Sequence, residues 1–516
     1  MFIPEQIPKL PEDWSHKWRD LTFQELAFEV LSLYISSSEI SSHDLKGIIQ
    51  RSYQHFRTPN ITPLISLDRE KQLYLLELFH GPTFAFKDVA LQFLGELFEY
   101  FLLRKNKGKE GKDRDHLSVI GATSGDTGSA AIYGLRGRQD LSIFMLFPKG
   151  KVSPVQEAQM TSIMDDNVHN VSVEGSFDDC QDTVKALFAD PETNRKHKLA
   201  AVNSISFARI NAQMVYYFHA YFSLLRSPDY DSSKGIDFVV PSGNFGDILA
   251  GWFAKRMDLP FSGLVIATNS NDILDRFMST GTYSKQPIHG PKAEGGFSED
   301  GAKAHPSGVK ETLAPAMDIL VSSNFERLLA YLAIDTYAPS DPSTEAKLGI
   351  MREKVTLWLH ELKTVGGFKV DAAILEAARK DFSSERVDDD EIISTIHSIY
   401  KTSFPQVAAA EGTTGKTGGY ILDPHSAIGI AASLRHISAS GSGANTIALA
   451  TAHPAKFANA VDKALTGAEG YSFDDVLPAQ FKEFENMPRR VMEIGGKDRF
   501  GEIRAIMDEK ILGEEA

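Results

Sequence analysis

Short apolar runs alternate with amphipathic segments along the middle of this chain. The apolar runs have strand length and end in turn residues, which predicts strands at residues 74–79, 117–121, 141–147, 168–173, 200–205, 236–240, 264–268 and 446–451. Helical apolar spacing predicts intervening helices at residues 127–135, 207–225, 247–257 and from 454 onwards. Apolar strands that alternate with helices predict an α/β protein with a buried, mainly parallel sheet.

Helical patterns dominate the two regions that flank these strands. Apolar spacing predicts a helix from Leu21 to Ile35, and Ser41 has the position of a cap before another helix. Residues 316–400 also have a helical signal. Two segments, 285–310 and 405–420, look like insertions that lie outside the core. A chain of 516 residues exceeds one core, so two or three domains are expected.

Composition and charge exclude several classes of function. The net charge of −15, from 69 acidic and 54 basic residues, argues against nucleic-acid or anionic-membrane partners. The single cysteine, Cys180, allows neither an intrachain disulfide nor a thiolate metal cluster. We find no pattern of a secretory signal and no apolar run near the ~18 residues that span a bilayer. A cytoplasmic protein without a metal is expected.

The segment from His80 to Asp88, HGPTFAFKD, places Lys87 at the start of a predicted helix. Apolar residues follow at helical spacing from Val89 to Phe101. Because the unpaired N–H groups and the dipole of a helix start disfavour a positive charge, this amine would lose its proton more easily. A neutral lysine can form a Schiff base or take up a proton. Taken alone, the segment fits an ordinary solvated lysine better. The choice between a reactive and a solvated lysine therefore depends on the other motifs.

Two small-residue turns follow predicted strands, at the edge where α/β proteins bind ligands. The turn at 121–128, GATSGDTG, combines hydroxyl and N–H groups that suit a carboxylate, although a tight capped turn explains it equally well. In the turn at 241–247, PSGNFGD, Gly243 and Gly246 let consecutive N–H groups converge on a phosphate without a basic side chain. This second arrangement suits an acidic chain.

Two further turns carry single candidate residues. In residues 450–456, ATAHPAK, the hydroxyl of Thr451 lies at a strand end, where it could meet a ring nitrogen. His453 and Lys456 are ambiguous there, because a histidine before a proline is more often a turn residue. In residues 202–209, VNSISFAR, Arg209 could bind a phosphate with two donors near a helix start.

Residues 410–417, AEGTTGKT, end like a nucleotide-binding phosphate loop. Such a loop requires a buried strand before it and a helix after it. The sequence on either side has neither pattern. We therefore expect no ATP site at these residues.

Together these motifs resemble the threonine synthase family, most closely its fungal members. The resemblance rests on HGPTFAFKD at 80–88, GATSGDTGSAA at 121–131, PSGNFGDILAG at 241–251, LDPHSA at 422–427 and TAHPAKF at 451–457. It implies the tryptophan synthase β-like fold (fold type II), with two open, mainly parallel sheets flanked by helices. It also implies an N-terminal domain at 1–80 and a catalytic region at 81–516, with a smaller lobe at 118–220 and a larger lobe that includes the helical insert at 316–400.

The resemblance also implies pyridoxal 5'-phosphate (PLP) as cofactor, bound to Lys87 as an aldimine. The phosphate of PLP would lie against the turn that contains Ser242, Gly243, Asn244, Phe245 and Gly246, with Asp247 starting the helix behind it. Thr451 would bond the pyridine nitrogen. The remaining candidates would contact the ring oxygen or the substrate carboxylate (Thr123, Ser124, Asp126, Thr127) or the substrate phosphate (Ser153, Arg209, Lys456).

The implied reaction converts O-phospho-L-homoserine and water to L-threonine and phosphate. Lys87 would remove protons from Cα and then Cβ. Two enzyme alternatives keep the cofactor: a phospho-lyase that releases a keto acid, and a hydroxyamino-acid dehydratase. A third alternative is a non-catalytic protein that binds phosphorylated metabolites. A monomer or homodimer is expected.

Overall fold

The computed structural model describes residues 3–285, 308–339, 343–402, 410–440, 443–484, 486–496 and 498–514. These residues form two compact units. The larger unit comprises residues 1–21, 62–77 and 213–476, and the smaller unit comprises residues 22–61, 78–212 and 477–516. Each unit is therefore assembled from distant parts of the chain, and residues 1–80 are divided between the two.

The described residues contain thirteen β-strands: β1 (Leu64–Asp68), β2 (Leu73–Glu77), β3 (Leu117–Ala122), β4 (Leu141–Pro148), β5 (Val168–Val173), β6 (Leu199–Ala200), β7 (Gly235–Pro241), β8 (Gly263–Thr268), β9 (Thr282–Ser284), β10 (Gly367–Lys369), β11 (Phe382–Arg386), β12 (Ala444–Ala450) and β13 (Met492–Ile494).

The same residues contain twenty-one α-helices: α1 (Trp14–Lys17), α2 (Phe23–Ser32), α3 (Ser42–Tyr53), α4 (Lys87–Lys105), α5 (Asp126–Leu135), α6 (Pro154–Thr161), α7 (Phe177–Ala189), α8 (Pro191–His197), α9 (Phe207–Arg226), α10 (Gly246–Arg256), α11 (Ile273–Thr280), α12 (Phe325–Tyr337), α13 (Thr344–Ile350), α14 (Thr356–Thr364), α15 (Ala372–Arg379), α16 (Asp389–Lys401), α17 (Pro424–Ser440), α18 (Ala458–Leu465), α19 (Phe473–Val476), α20 (Ala479–Phe484) and α21 (Arg499–Glu514). Short 3-10 turns lie at Gly111–Asp113, Pro315–Met317 and Pro454–Lys456, and a π-helical turn lies at Met351–Val355.

The larger unit contains a six-stranded sheet with strand order β1-β2-β12-β7-β8-β11. All neighbours in this sheet are parallel except β1, which pairs antiparallel with β2 at one edge. Every residue of β12 is buried, as expected for a central parallel strand with both faces covered. A separate antiparallel pair, β9 with β10, completes the strands of this unit.

The smaller unit contains a five-stranded sheet with strand order β13-β5-β4-β3-β6, and all of its pairs are parallel. All eight residues of β4 are buried, which explains its unbroken apolar sequence. Apolar side chains cover the two faces of this sheet in separate clusters. The expected fold class, with two open, mainly parallel sheets flanked by helices, is confirmed.

Three details of the predicted elements are wrong. The strand expected at 200–205 is limited to β6, and a turn follows it. Within 316–400, which had a helical signal, β10 pairs with β9, and β11 forms an edge strand of the larger sheet. Its sequence, FSSER, buries only the phenylalanine, so it lacks the apolar run of a central strand. The helix expected from 454 begins as a 3-10 turn and becomes α-helical at Ala458.

The two expected insertions differ in what the structure describes of them. Most of the segment 285–310 lies outside the described residues. In the segment 405–420, Thr413 and Tyr420 are buried, so the expectation that it lies outside the core is wrong for these residues. In the described residues, no helix is both long enough and apolar enough to cross a membrane.

Two glycines bring α4 and α5 close together in the smaller unit. A Cβ atom added to Gly95 would lie 2.0 Å from the carbonyl oxygen of Gly134, and one added to Gly134 would lie 2.5 Å from the carbonyl oxygen of Leu91. The backbones therefore approach at a distance that only glycine permits. Because Lys87 and Asp126 begin these helices, the crossing also sets the relative position of the two residues.

We expect Gly95→Ala to lower the free energy of unfolding by about 2 kcal/mol, because the added methyl group forces two packed helices apart. Urea titration followed by circular dichroism measures this. Gly349→Ala in α13 is the control: no atom lies within 4 Å of an added Cβ there, so stability should be unchanged or rise by up to about 1 kcal/mol. Equal effects of the two substitutions would contradict this account of the crossing.

A buried histidine makes the larger unit sensitive to acid. Nδ1 of His219 in α9 donates to the carbonyl oxygen of Thr62 at 3.1 Å. Burial, and secondarily the charge of Arg226, lowers the pKa of His219 from 6.5 to about 4. Between these values the unfolded chain binds the proton and the folded chain does not, so stability falls as the pH is lowered through this window.

We expect His219→Asn to keep the donor to Thr62 and to remove this acid sensitivity. Between pH 6.5 and 4 the wild type should lose up to about 3 kcal/mol more stability than the variant. Urea titrations across that range measure the difference. His16→Asn, at an exposed position of α1, should keep the wild-type dependence. If both variants followed the wild-type profile, His219 would not be the titrating group.

Candidate active site

Lys87 is the first residue of α4, as its sequence context predicts. Its side chain is only 13% exposed, and its Nζ lies 3.9 Å from Oδ2 of Asp126, a buried residue that begins α5. The ring of Phe86 lies 4.8 Å from the same nitrogen. The structure thus brings together a half-buried amine and a buried carboxylate at two neighbouring helix starts, where the amine can exchange a proton and meet a ligand.

Asp88 fixes the backbone immediately before Lys87. Its buried carboxylate accepts hydrogen bonds from the N–H and the hydroxyl of Thr83, both at 2.7 Å. A Cβ atom on Gly81 would lie 2.3 Å from the Cβ of Asp88, so only glycine fits at position 81. Asp88 therefore closes the turn before Lys87 and so fixes the position from which the lysine side chain extends.

Arg57 binds the other side of the same turn, and the sequence offered no signal for it. The backbone N–H of Arg57 donates to the carbonyl oxygen of His80 at 2.9 Å. Its guanidinium donates to the carbonyl oxygens of Gly81 and Pro82. The guanidinium carbon also lies 3.4 Å from the ring centre of Phe84, a residue in the left-handed backbone region with φ of 59°. These contacts stabilise an unusual turn conformation.

The turn between β3 and α5 is organised by Thr123. Its buried hydroxyl oxygen accepts hydrogen bonds from the N–H groups of Gly125 and Gly128, at 2.9 and 2.8 Å. Both lone pairs of this oxygen are thus used within the protein, and only its proton remains for a ligand. Of the other two hydroxyl candidates in this turn, Ser124 is exposed and Thr127 is half-buried.

A buried glutamine, Gln156, links this turn to α6. Its side-chain nitrogen donates to Oδ1 of Asp126 at 2.8 Å, and its side-chain oxygen accepts from the hydroxyl of Ser153 at 3.0 Å. Gly125, with φ of 142°, has no room for a Cβ atom, which would lie 2.2 Å from the glutamine oxygen. Ser153, which also caps α6, therefore acts through Gln156 on the carboxylate beside Lys87.

In the larger unit, the turn after β7 leaves donors for an anion. Among the described residues, no hydrogen bond has the N–H of Gly243, Asn244, Phe245 or Gly246 as its donor. The hydroxyl of Ser242 is buried and also has no partner there. These groups lie at the start of α10, whose dipole favours negative charge. This donor set fits a phosphate that is bound without lysine or arginine.

The carbonyl oxygens of this turn are bonded on the opposite side by residues 322–324, which the sequence analysis missed. The hydroxyl of Ser322 donates to the carbonyl oxygen of Gly243 at 2.5 Å, and the N–H of Asn324 donates to that of Asn244 at 3.1 Å. Phe245 adopts the left-handed conformation, with φ of 63°, and its ring packs 5.2 Å from that of Phe325. These contacts fix the turn while its N–H groups donate to no acceptor in the described part of the chain.

Asp247 has a structural role in the described residues. Oδ1 of its buried carboxylate accepts hydrogen bonds from the hydroxyls of Tyr216 and Tyr217, at 2.6 and 2.9 Å. Burial, and secondarily the aspartate charge, raises the pKa of Tyr217 well above its usual value. The carboxylate thus anchors the first turn of α10 to α9.

Thr451 lies directly after β12 and is buried. Its N–H donates to the hydroxyl of Ser426 at 3.1 Å, and that hydroxyl donates to Asp423. His425 also donates to Asp423 from Nδ1 at 2.9 Å, while its Nε2 accepts from the N–H of Ala316 at 3.2 Å. The motif LDPHSA therefore fixes the backbone of the threonine and leaves its hydroxyl for a ligand.

The other candidates are placed as follows. Arg209 and Lys456 are both buried, at 5% and 2% exposure. His453 caps a 3-10 turn, because its Nδ1 accepts from the N–H of Ala455 at 3.1 Å, so it is a turn residue. The Gly-Lys-Thr sequence at 415–417 lies in a turn, and the next helix after it begins only at Pro424. A nucleotide-binding phosphate loop requires a helix directly after this sequence, so that geometry is excluded.

Three regions of the chain match models of protein families. Residues 1–53 match the threonine synthase N terminus, residues 56–325 match the pyridoxal-phosphate dependent enzymes, and residues 426–506 match the threonine synthase C-terminal region. The threonine synthase of Schizosaccharomyces pombe is 50% identical over 100% of this chain and 94% of its own length. That of Saccharomyces cerevisiae is 49% identical over 96% and 90%.

Solved structures give the same result. The crystal structure of threonine synthase from yeast has a TM-score of 0.88 at 47% identity, with 99% of this chain and 93% of that chain covered. The structure of PLP-bound threonine synthase from Brucella melitensis has a TM-score of 0.80 at 37% identity, with 98% and 93% covered.

We expect Thr123→Val to lower the free energy of unfolding by about 2 kcal/mol, because two buried N–H groups lose their acceptor while the side-chain volume stays the same. Thr123→Ser keeps the hydroxyl and should cost about 1 kcal/mol or less. Urea titration of both variants measures the difference. A valine variant as stable as the serine variant would show that the hydroxyl does not organise the turn.

Proposed function

This chain belongs to the threonine synthase family, and we propose that it converts O-phospho-L-homoserine and water to L-threonine and phosphate, the last step of threonine biosynthesis. The observation that carries this proposal is the half-buried amine of Lys87 at a helix start, 3.9 Å from Asp126. The reaction requires a group that removes protons from carbon, and a half-buried lysine beside a carboxylate supplies one.

The enzyme is a PLP-dependent lyase. We propose Lys87 as the point of covalent attachment and the turn Ser242–Gly246 as the ligand of the cofactor phosphate. Within the residues that the structure describes, the Ser242 hydroxyl has no partner and the N–H groups of residues 243–246 donate no hydrogen bond, which supports this assignment. The hydroxyl of Thr451 would bond the pyridine nitrogen. Asp247 starts the helix behind the phosphate, and its bonds to two tyrosines support a positioning role.

When bound, the cofactor withdraws electrons from the substrate α-carbon and so stabilises negative charge there. Nζ of Lys87 takes the proton from Cα, passes it to solvent, and then takes a proton from Cβ. After phosphate has left, a proton is returned at Cγ, water adds its oxygen at Cβ, and a proton is returned at Cα. While Nζ carries a proton, the carboxylate of Asp126 stabilises its positive charge, because opposite charges attract strongly in a buried site. Gln156 keeps the carboxylate in place.

We propose Thr123, Ser124 and Thr127, together with Asp126, as residues that contact the ring oxygen or the substrate carboxylate. The exposed hydroxyl of Ser124 and the remaining proton of Thr123 support such contacts.

For the substrate phosphate we propose Arg209, Lys456 and Ser153. Arg209 is the stronger candidate of the smaller unit, because the Ser153 hydroxyl already donates to Gln156. A guanidinium can also bind phosphate with two donors at once.

A cytoplasmic monomer or homodimer without nucleic-acid partners completes the proposal. The net charge of −15 supports the absence of such partners, and the single buried cysteine is compatible with a reducing compartment.

We expect Lys87→Ala to lower the rate of threonine formation from O-phospho-L-homoserine roughly 10³-fold or more, because no other group replaces the base. The fold should persist, as judged by circular dichroism. Assays of phosphate and threonine release measure the effect. Lys105→Ala, at the exposed last residue of α4, is the matched control and should keep full activity. Near-normal activity of the Lys87 variant would refute the assignment.

The products separate this reaction from its alternatives. Threonine supports the proposal, whereas 2-oxobutanoate would indicate a phospho-lyase or a dehydratase. Borohydride reduction followed by peptide mapping should place the pyridoxyl label on Lys87. A label on another lysine would refute the proposed attachment point.

A further inference from the structure

A group of polar side chains in the larger unit has no role in the mechanism described above. Asp318, a partly buried residue after the 3-10 turn at Pro315–Met317, lies at its centre. Its carboxylate accepts hydrogen bonds from the side-chain nitrogens of Asn269 and Asn271, at 2.7 and 3.1 Å. It also accepts from the N–H and the hydroxyl of Thr312, at 2.9 and 2.7 Å.

These contacts tie two parts of the unit together. Asn269 and Asn271 follow the carboxyl end of β8, and both are buried. Asn271 also bonds the backbone of Lys310 with its side-chain amide, donating at 2.9 Å and accepting at 2.8 Å. The carboxylate thereby fastens the segment 310–318 to the end of a strand that is the parallel neighbour of β7.

The fastened segment packs directly on the proposed phosphate turn. A Cβ atom on Gly243 would lie 3.2 Å from the Cα of Met317, 3.3 Å from the carbonyl oxygen of Ala316 and 3.2 Å from Cδ1 of Ile319. The turn itself continues from β7, and the N–H of Ser242 donates to the carbonyl oxygen of Ala267 in β8 at 2.8 Å. Movement of the segment would therefore change the position of Gly243 and of the N–H groups that follow it.

We propose that Asp318 is a positioning residue for the cofactor phosphate: it holds residues 316–319 against Gly243 and so keeps the N–H groups of 243–246 aimed at one point. This inference rests on the proposed role of the turn Ser242–Gly246. A carboxylate suits this task because it is the acceptor of all four hydrogen bonds and has no competing donor when ionised.

Burial raises the pKa of Asp318 to about 6, although the hydrogen bonds from Thr312 and Asn269 act in the opposite direction. The ionised form at neutral pH is thus maintained at some cost in solvation. A partly buried charge that is bonded by four neutral donors, and that forms no salt bridge among the described residues, is a costly structural element. The desolvation of this carboxylate would be explained if Asp318 supports a binding site.

The test compares cofactor binding by three full-length proteins from which PLP has been removed: wild type, Asp318→Asn and Asp237→Asn. In Asp318→Asn an NH2 group replaces one of the two acceptor oxygens, so its N–H groups face the donors of Asn269, Asn271 or Thr312. Asp237 is a matched control, because it is an aspartate with little exposure on the strand that leads into the proposed phosphate turn, and its carboxylate is also hydrogen-bonded, to His436 at 2.8 Å. It lies near the opposite end of β7, five residues before Ser242, or about 16 Å away in an extended strand.

We expect Asp318→Asn to bind PLP about tenfold or more weakly than wild type, since several hydrogen bonds to a charged acceptor are lost. At saturating PLP, its ³¹P resonance should differ from that of the wild-type complex. Asp237→Asn should bind PLP within about twofold of wild type. A merely structural role would lower the thermal midpoint of the PLP-free protein while the dissociation constant and the resonance stayed the same, and that result would overturn the inference.

A second variant covers the case in which Asp318→Asn does not fold. Thr312→Val removes one donor to the carboxylate and keeps the side-chain volume, so we expect PLP affinity to fall about threefold or more. Unchanged affinity of this variant would also overturn the inference. A ³¹P resonance of PLP that is unperturbed in the wild-type complex would show that the turn does not contact the phosphate. That result would contradict the proposed role of Ser242–Gly246 itself, and not only the role of Asp318.

Discussion

The N–H groups at the first turn of a helix need acceptors, and three helices that carry proposed site residues meet this need in different ways. At α5 the Thr123 hydroxyl accepts two of these groups, and at α6 the Ser153 hydroxyl caps the helix. At α10 the cap residue is Phe245, whose side chain can accept nothing. Of these three helix starts, only that of α10 has no side-chain acceptor among the described residues, which supports the proposal that it binds the cofactor phosphate without a basic side chain.

Lys87 is half-buried at the start of α4, and Asp126 begins α5. Nζ of Lys87 lies 3.9 Å from Oδ2 of Asp126. This distance depends on the crossing of the two helices at Gly95 and Gly134, a full turn or more from the two residues.

The sequence predicted the strands with apolar runs and the turns that follow them, because parallel strands buried on both faces have an unmistakable pattern. It also predicted that Lys87 begins a helix and that turns follow the strands before Ser242 and Thr451, and the structure confirms these local features. It did not predict β11, whose polar sequence is typical of an edge strand, or the short extent of β6. For Ser153 it suggested a substrate ligand, where the structure shows a cap bonded to Gln156.

Local order along the chain was therefore determined by the sequence itself: where a helix begins, which strand is buried and which residues can turn tightly. Only the tertiary structure decided which distant groups support those local features, namely Arg57 behind the lysine turn, Gln156 beside Asp126, and residues 316–324 around Gly243. The physical reason is that periodicity and capping act over a few residues, whereas a hydrogen bond between side chains depends on distance in space. Such a bond leaves no regular spacing in the chain from which it could be recognised.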